Sequence, residues 1–156
     1  MIENYTAKML LYEGIVAYRK EYYAESLEHF NHVLNFDPDN ELAHLCRGSA
    51  YLMLGKIQEA ISDFSRAITL NHQYARTYHQ RGLARELMGD TAKAYRDFDR
   101  ALEIDPDFTA AYHSRDCILT PDCHTDLEIQ NNEMVEHLAA MSVEQFIKDI
   151  PVYQGI

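Results

Sequence analysis

Tryptophan is absent from this 156-residue chain, and proline (4), glycine (6) and cysteine (3) are scarce. The few glycines and prolines leave no stretch that reads as a flexible linker. Three cysteines, an odd number, do not make a disulfide scaffold and point to a reducing compartment. No apolar run approaches the roughly 20 residues of a membrane span, and no secretory signal pattern opens the chain. Membrane insertion and export are therefore not expected, and the cytoplasm is the expected location. Basic residues are few as well: 14 Lys and Arg stand against 25 Asp and Glu, for a net charge of −11. Such a surface repels nucleic acid and anionic membranes. Glycine-rich phosphate loops, nucleophile elbows and paired-carboxylate motifs are also missing, so neither catalysis nor a cofactor is expected. What the chain does have is apolar bulk. Hydrophobic residues make up 47% and aromatics 11%, too much for a disordered polymer.

Glycine, though rare, is regularly spaced. Gly14, Gly48 and Gly82 lie 34 residues apart, each inside an otherwise helix-forming stretch. A glycine in a helix interior costs about 1 kcal/mol relative to alanine, so the repetition implies close approach of a second helix. Phe30, Phe64 and Phe98 keep the same spacing, as do Val33, Ala67 and Ala101, and Ser26, Ala60 and Ala94. Gly55 pairs with Gly89, Arg66 with Arg100, and Pro38 with Pro106 two periods on. A 34-residue period marks stacked pairs of antiparallel helices. Gly55 and Gly89 fall where a first helix must end in a left-handed cap, while Glu21 at that point predicts a looser or differently capped turn in the first repeat. The small residues at 26, 60 and 94 are expected to face the glycines, with the phenylalanines between neighbouring repeats. Arg47, Arg81 and Arg115, each one place before the glycine register, predict packing of their stems and an ion pair with a nearby carboxylate.

Two stretches, Cys46-Arg47-Gly48 through Leu70 and Gln80-Arg81-Gly82 through Pro106, share R-G-x-A, a second glycine, and A-x-x-D-F-x-R-A. On these motifs the chain resembles the tetratricopeptide repeat (TPR) family. The resemblance covers repeats at 7–40, 41–74 and 75–108 and a fourth first helix over 109–119. It implies an all-α, right-handed superhelix of antiparallel helix pairs, ended by C-terminal capping helices.

In that family the second, fifth, ninth and twelfth positions of each repeat face a concave groove. Carried over, they are Lys8, Leu11, Ile15 and Tyr18; Leu42, Leu45, Ser49 and Leu52, with Met53 beside them; and Arg76, His79, Leu83 and Glu86. The first half of that list is apolar, which suits either a partner's apolar anchors, with Lys8 and Arg76 for an acidic group, or mutual packing in a tight superhelix. The carboxylate clamp of chaperone-binding TPR domains is not matched. Ile15 and Ser49 stand at its asparagines, Leu11 at a lysine and Gln80 at its arginine, and only Arg76 fits.

Beyond Asp116, which replaces the glycine, residues 120–156 form an acidic tail. Residues 117–156 carry seven acidic side chains against Lys148. Capping-box spacing at Thr125/Glu128 and Ser142/Gln145 predicts two helices there. They would either cap the solenoid or place Phe146–Ile156 in a groove, its own or a neighbour's. His113, Cys117, Cys123 and His124 do not match common structural zinc frames, so no metal is expected. The resulting expectation is a non-catalytic adaptor or scaffold that binds a protein or peptide in its groove. Its alternatives are a small dedicated chaperone, by analogy with those of type III secretion, and a self-assembling unit, a homo-oligomer through its tail.

Overall fold

The computed structural model describes residues 2–120. The expected tail helices and the end of the acidic segment lie outside the described residues. Seven α-helices follow in order: α1 (Ile2–Arg19), α2 (Tyr23–Phe36), α3 (Glu41–Met53), α4 (Ile57–Leu70), α5 (Ala75–Leu87), α6 (Thr91–Ile104) and α7 (Thr109–Leu119). Among the described residues there is no strand.

The helices pack in pairs, α1 with α2, α3 with α4 and α5 with α6, and each pair leans on the next through α2–α3, α4–α5 and α6–α7. The second helix of each pair buries one stripe at helical spacing: Ser26, Phe30 and Val33 in α2; Ala60, Phe64 and Ala67 in α4; Ala94, Phe98 and Ala101 in α6. The first helices are buried on more than one side. In α3, Ala43 to Cys46, Gly48 to Ala50 and Leu52 are all buried, because α2, α4 and the neighbouring first helices all touch it.

Each helical glycine is filled by an aromatic ring. A Cβ built on Gly14 would fall 2.6 Å from Cε1 of Phe30, and one on Gly48 would fall 2.7 Å from Cε1 of Phe64; Gly82 meets Phe98 in the same way. The expectation that Ser26, Ala60 and Ala94 face the glycines is thus corrected. The phenylalanine sixteen residues on lies against the glycine within the same repeat, and its ring is fully buried there.

The turn inside each pair has one geometry. Glu21, Gly55 and Gly89 all have positive φ, at 64, 72 and 79°. The amide after each reaches back five residues: Tyr22 N to Ala17 O at 2.9 Å, Lys56 N to Tyr51 O at 2.8 Å and Asp90 N to Arg85 O at 2.9 Å. This is the Schellman closure. The looser or differently capped first turn expected from Glu21 is not found: the surrounding hydrogen bonds hold the glutamate in a conformation that favours glycine.

Between pairs, Asn40 caps α3 by accepting from Ala43 N at 2.9 Å. Asn71 and Asp105 instead accept from the amide two residues on, at 3.1 Å each, and so tighten the connections to α5 and α7. A side chain thus caps the helix start at α3 alone of the three.

Candidate functional site

Among the described residues the first helices touch one another, α1 with α3 and α3 with α5, whereas the second helices meet at most marginally. A stack in contact along one row and splayed along the other curves toward the row in contact. The first helices therefore line the inner side, where the expected groove residues reside.

Leu11, Ile15, Tyr18, Leu42, Leu45, Leu52 and Met53 come together in one apolar cluster with Phe30 and Phe64. The third-repeat residues are not part of it. Leu83 packs with Ala94, Phe98 and Ile118. His79 lies between the rings of Phe98 and Phe108, at 5.5 and 5.0 Å, and its Nε2 is 2.9 Å from Ser114 Oγ. Burial moves the His79 imidazole pKa down to about 4, the nearby Arg76 charge adding to the effect and a backbone hydrogen bond at Ala110 opposing it. It is neutral at pH 7.

The row is also deeply packed. Ile15, Tyr18, Leu45, Ser49, Leu52, His79 and Leu83 are buried, and Ser49 Oγ donates to its own helix at Leu45 O, 3.1 Å. Lys8, Leu11, Leu42, Met53 and Arg76 are half-buried. Arg76 holds its guanidinium 5.7 Å over the Phe108 ring. Glu86 ends the row. Its Oε2 is buried with no hydrogen-bond partner, and burial raises the carboxyl above the ordinary range.

The repeated arginines build a feature whose reach the sequence did not reveal. Arg47 donates from Nε and Nη2 to the two oxygens of Asp63, both at 2.7 Å, and from Nη1 to Asn31 Oδ1 at 2.8 Å. Arg81 does the same with Asp97, at 3.0 and 2.8 Å, and with Ser65 Oγ at 3.2 Å. Arg115 reaches back to Asp99 at 2.9 Å. Arg47 and Arg81 thus each join the second helix of their own repeat to that of the repeat before, in the bidentate geometry that suits a guanidinium. The 16-residue interval from Arg47 to Asp63 and from Arg81 to Asp97 was the available signal. His44 shares Asp63, with Nδ1 at 3.1 Å, while its Nε2 is 2.9 Å from Pro38 O.

Thiol chemistry is muted. Burial pushes the Cys46 thiol up to about 12, so it carries no reactive thiolate at neutral pH. The Cys117 sulfur lies 3.0 Å from His113 Nδ1. Among the described residues no group of three His, Cys, Asp or Glu side chains is placed to hold a metal. No helix among them is long and apolar enough to cross a membrane.

Comparison with known proteins agrees with this architecture. Residues 42–74 and 75–108 each match the tetratricopeptide repeat family model. No curated protein matches the chain. Among solved structures it is similar to the first TPR of Spaghetti (RPAP3) bound to the HSP90 peptide SRMEEVD. The TM-score is 0.72 at 29% identity, over 74% of this chain and 92% of that one. The first TPR domain of human RPAP3 gives 0.70 at 27% identity, over 85% and 96%. MamA gives 0.71 at 26% identity, over 91% and 81%. The matched repeats, the 34-residue register that extends them on both sides and the likeness to these helix-pair domains together show tetratricopeptide repeats over residues 42–108, in a helical stack similar to TPR domains, a fold of protein-interaction modules.

Proposed function

We propose that the protein is a non-catalytic adaptor that holds a peptide or protein segment along its inner helix row. One observation carries the reading: on the same row of first helices as the half-buried apolar side chains of Leu11, Leu42 and Met53, a buried carboxylate oxygen of Glu86 has no hydrogen-bond partner. An unpaired buried acceptor costs about 1–3 kcal/mol, which an occupant's N–H or ammonium donor would offset. The peptide complex of the RPAP3 relative supports a peptide as occupant, but the ligand chemistry differs. Ile15 and Ser49 fill the inner face with packed atoms where clamp domains carry asparagines, so apolar anchors and a donor to Glu86 replace recognition of an acidic terminus.

Panning a displayed peptide library against the full chain tests this. Enriched peptides should carry apolar anchors with a Lys, Arg or free amide placed for Glu86. They should lose binding at least tenfold on Met53→Glu or Leu42→Glu, and several-fold on Glu86→Gln, with helix content retained. Enriched peptides indifferent to all three changes would overturn the site. A chaperone of exported segments would favour long apolar peptides without a fixed donor. Self-assembly would appear as mass increasing with concentration in light scattering.

A further inference from the structure

The first repeat carries the arginine joint with its residue types exchanged, an acid in place of the base and a histidine in place of the acid. In register, Glu13 stands where Arg47 and Arg81 stand, and His29 where Asp63 and Asp97 stand. The pair is still made, with His29 Nδ1 3.5 Å from Glu13 Oε2, and Glu25 lies 3.9 Å from His29 Nε2. In the later repeats the residue at the Glu13 position also reaches outward to an oxygen on the preceding second helix: Asn31, Ser65 or Asp99. Glu13 is half exposed, and its carboxylate offers only acceptors.

Around it the structure leaves a cleft of about 360 Å³, lined by Tyr12, Val16 and Tyr22 beside Glu13, Glu25 and His29, with Lys20 and Ala17 completing it. Tyr12, Glu13 and Val16 correspond in register to Cys46, Arg47 and Ala50. At the next joint Cys46 and Ala50 share a cluster with Tyr23, Leu27 and Phe30 of α2. The cleft is thus a seat of the kind that α2 fills on α3, with the polarity of its hydrogen bond inverted.

We infer that this seat docks an amphipathic helix of a partner protein that presents a lysine or arginine to Glu13 beside apolar side chains on Val16 and Tyr12. Charge complementarity selects the occupant. The chain's own second helices present Asn31, Ser65 and Asp99 at the corresponding place, and its residues 117–156 hold one lysine against seven carboxylates. A second copy pairing through those positions supplies no cation, and the tail offers Lys148 alone within a strongly acidic segment. The surface is separate from the inner row, so its failure and the failure of the groove are distinguishable.

The probe is a hydrocarbon-stapled peptide with the sequence of α2, Tyr23–Phe36, carrying Asn31→Lys, and a twin carrying Asn31→Asp. Titrated into the full chain, the lysine peptide should bind saturably and at least about tenfold more tightly than its twin. Glu13→Gln should remove that preference while leaving the helical circular dichroism signal intact. Deleting residues 121–156 should leave it unchanged. Equal binding of the two peptides, no binding of the lysine peptide, or a preference that survives Glu13→Gln would each overturn the proposal. So would binding that appears only after the deletion, since the tail would then be the occupant.

Discussion

The first repeat and the two after it have the same shape and different chemistry. Phe30 covers Gly14 as Phe64 covers Gly48, and the pair turn closes through the same five-residue hydrogen bond. Yet the turn residue is Glu21 instead of glycine, and the polar pair is Glu13 with His29 instead of Arg47 with Asp63. The family model matches residues 42–108 only, although the helix pair ahead of them packs alike. The difference teaches that the ring-on-glycine contact and the turn closure set the shape, while the polar pairs set what each joint accepts.

The strongest way to break the comparison is to remove the ring. Phe64→Ala and Phe30→Ala should each lower the unfolding free energy by about 3–5 kcal/mol in urea titrations, since both rings are fully buried against a glycine. A much smaller loss for Phe30 would mean that the first repeat is held by something other than the shared contact.

The next largest effect separates the third repeat from the first two. His79 sits in register with Leu11 and Leu45, and its folded pKa of about 4 lies below its ordinary value of 6.5. A histidine whose charged form is disfavoured in the folded state contributes stability above the higher value, and that stability declines as pH falls through the interval. Between pH 6.5 and about 4 the fold should lose about 3 kcal/mol relative to His79→Gln, the unfolded chain taking up the proton first. Parallel pH profiles of the two proteins would refute the assignment.

Smaller effects sharpen the turn comparison. Glu21→Gly relieves a positive φ and should stabilise the protein by about 1 kcal/mol, whereas Gly55→Ala should cost about as much. Thermal melts of the two variants should shift in opposite directions. Smallest of all is the double exchange Glu13→Arg with His29→Asp, which installs the later pattern in the first repeat. It should change stability by less than about 1 kcal/mol, and it should abolish the lysine preference of the end seat.

Most of the fold was legible because its determinants are local or periodic. The positive φ at Gly55 and Gly89 and the helix-pair order followed directly from residue type and interval. The partner of the helical glycine did not, because a small residue twelve places on and a ring sixteen places on are equally in register. Only the geometry of the pair decides between them. The depth of the inner row was hidden for a related reason. A position that faces an inner side is exposed in an open curve and packed in a tight one, and Leu45 or Leu83 reads the same in both. The reversed pair at Glu13 and His29 was readable as residue types, but its meaning required knowing that Arg47 reaches the preceding helix.

The arginine joints also govern how the molecule comes apart. Stacked repeats behave as a line of units coupled to their neighbours, and the coupling decides whether they open singly or together. Arg47 ties α2, α3 and α4, Arg81 ties α4, α5 and α6, and Arg115 carries the chain of ties to α7. Opening any one pair leaves a half-buried guanidinium or a buried carboxylate without its counter-charge, so α3 to α6 should open as one cooperative unit. α1 stands outside that chain of arginine ties, and its pair with α2 is Glu13 with His29. Its amides should therefore exchange with solvent hydrogen well before those of α3 or α5, making the face that carries the end seat the most readily remodelled edge of the described repeats.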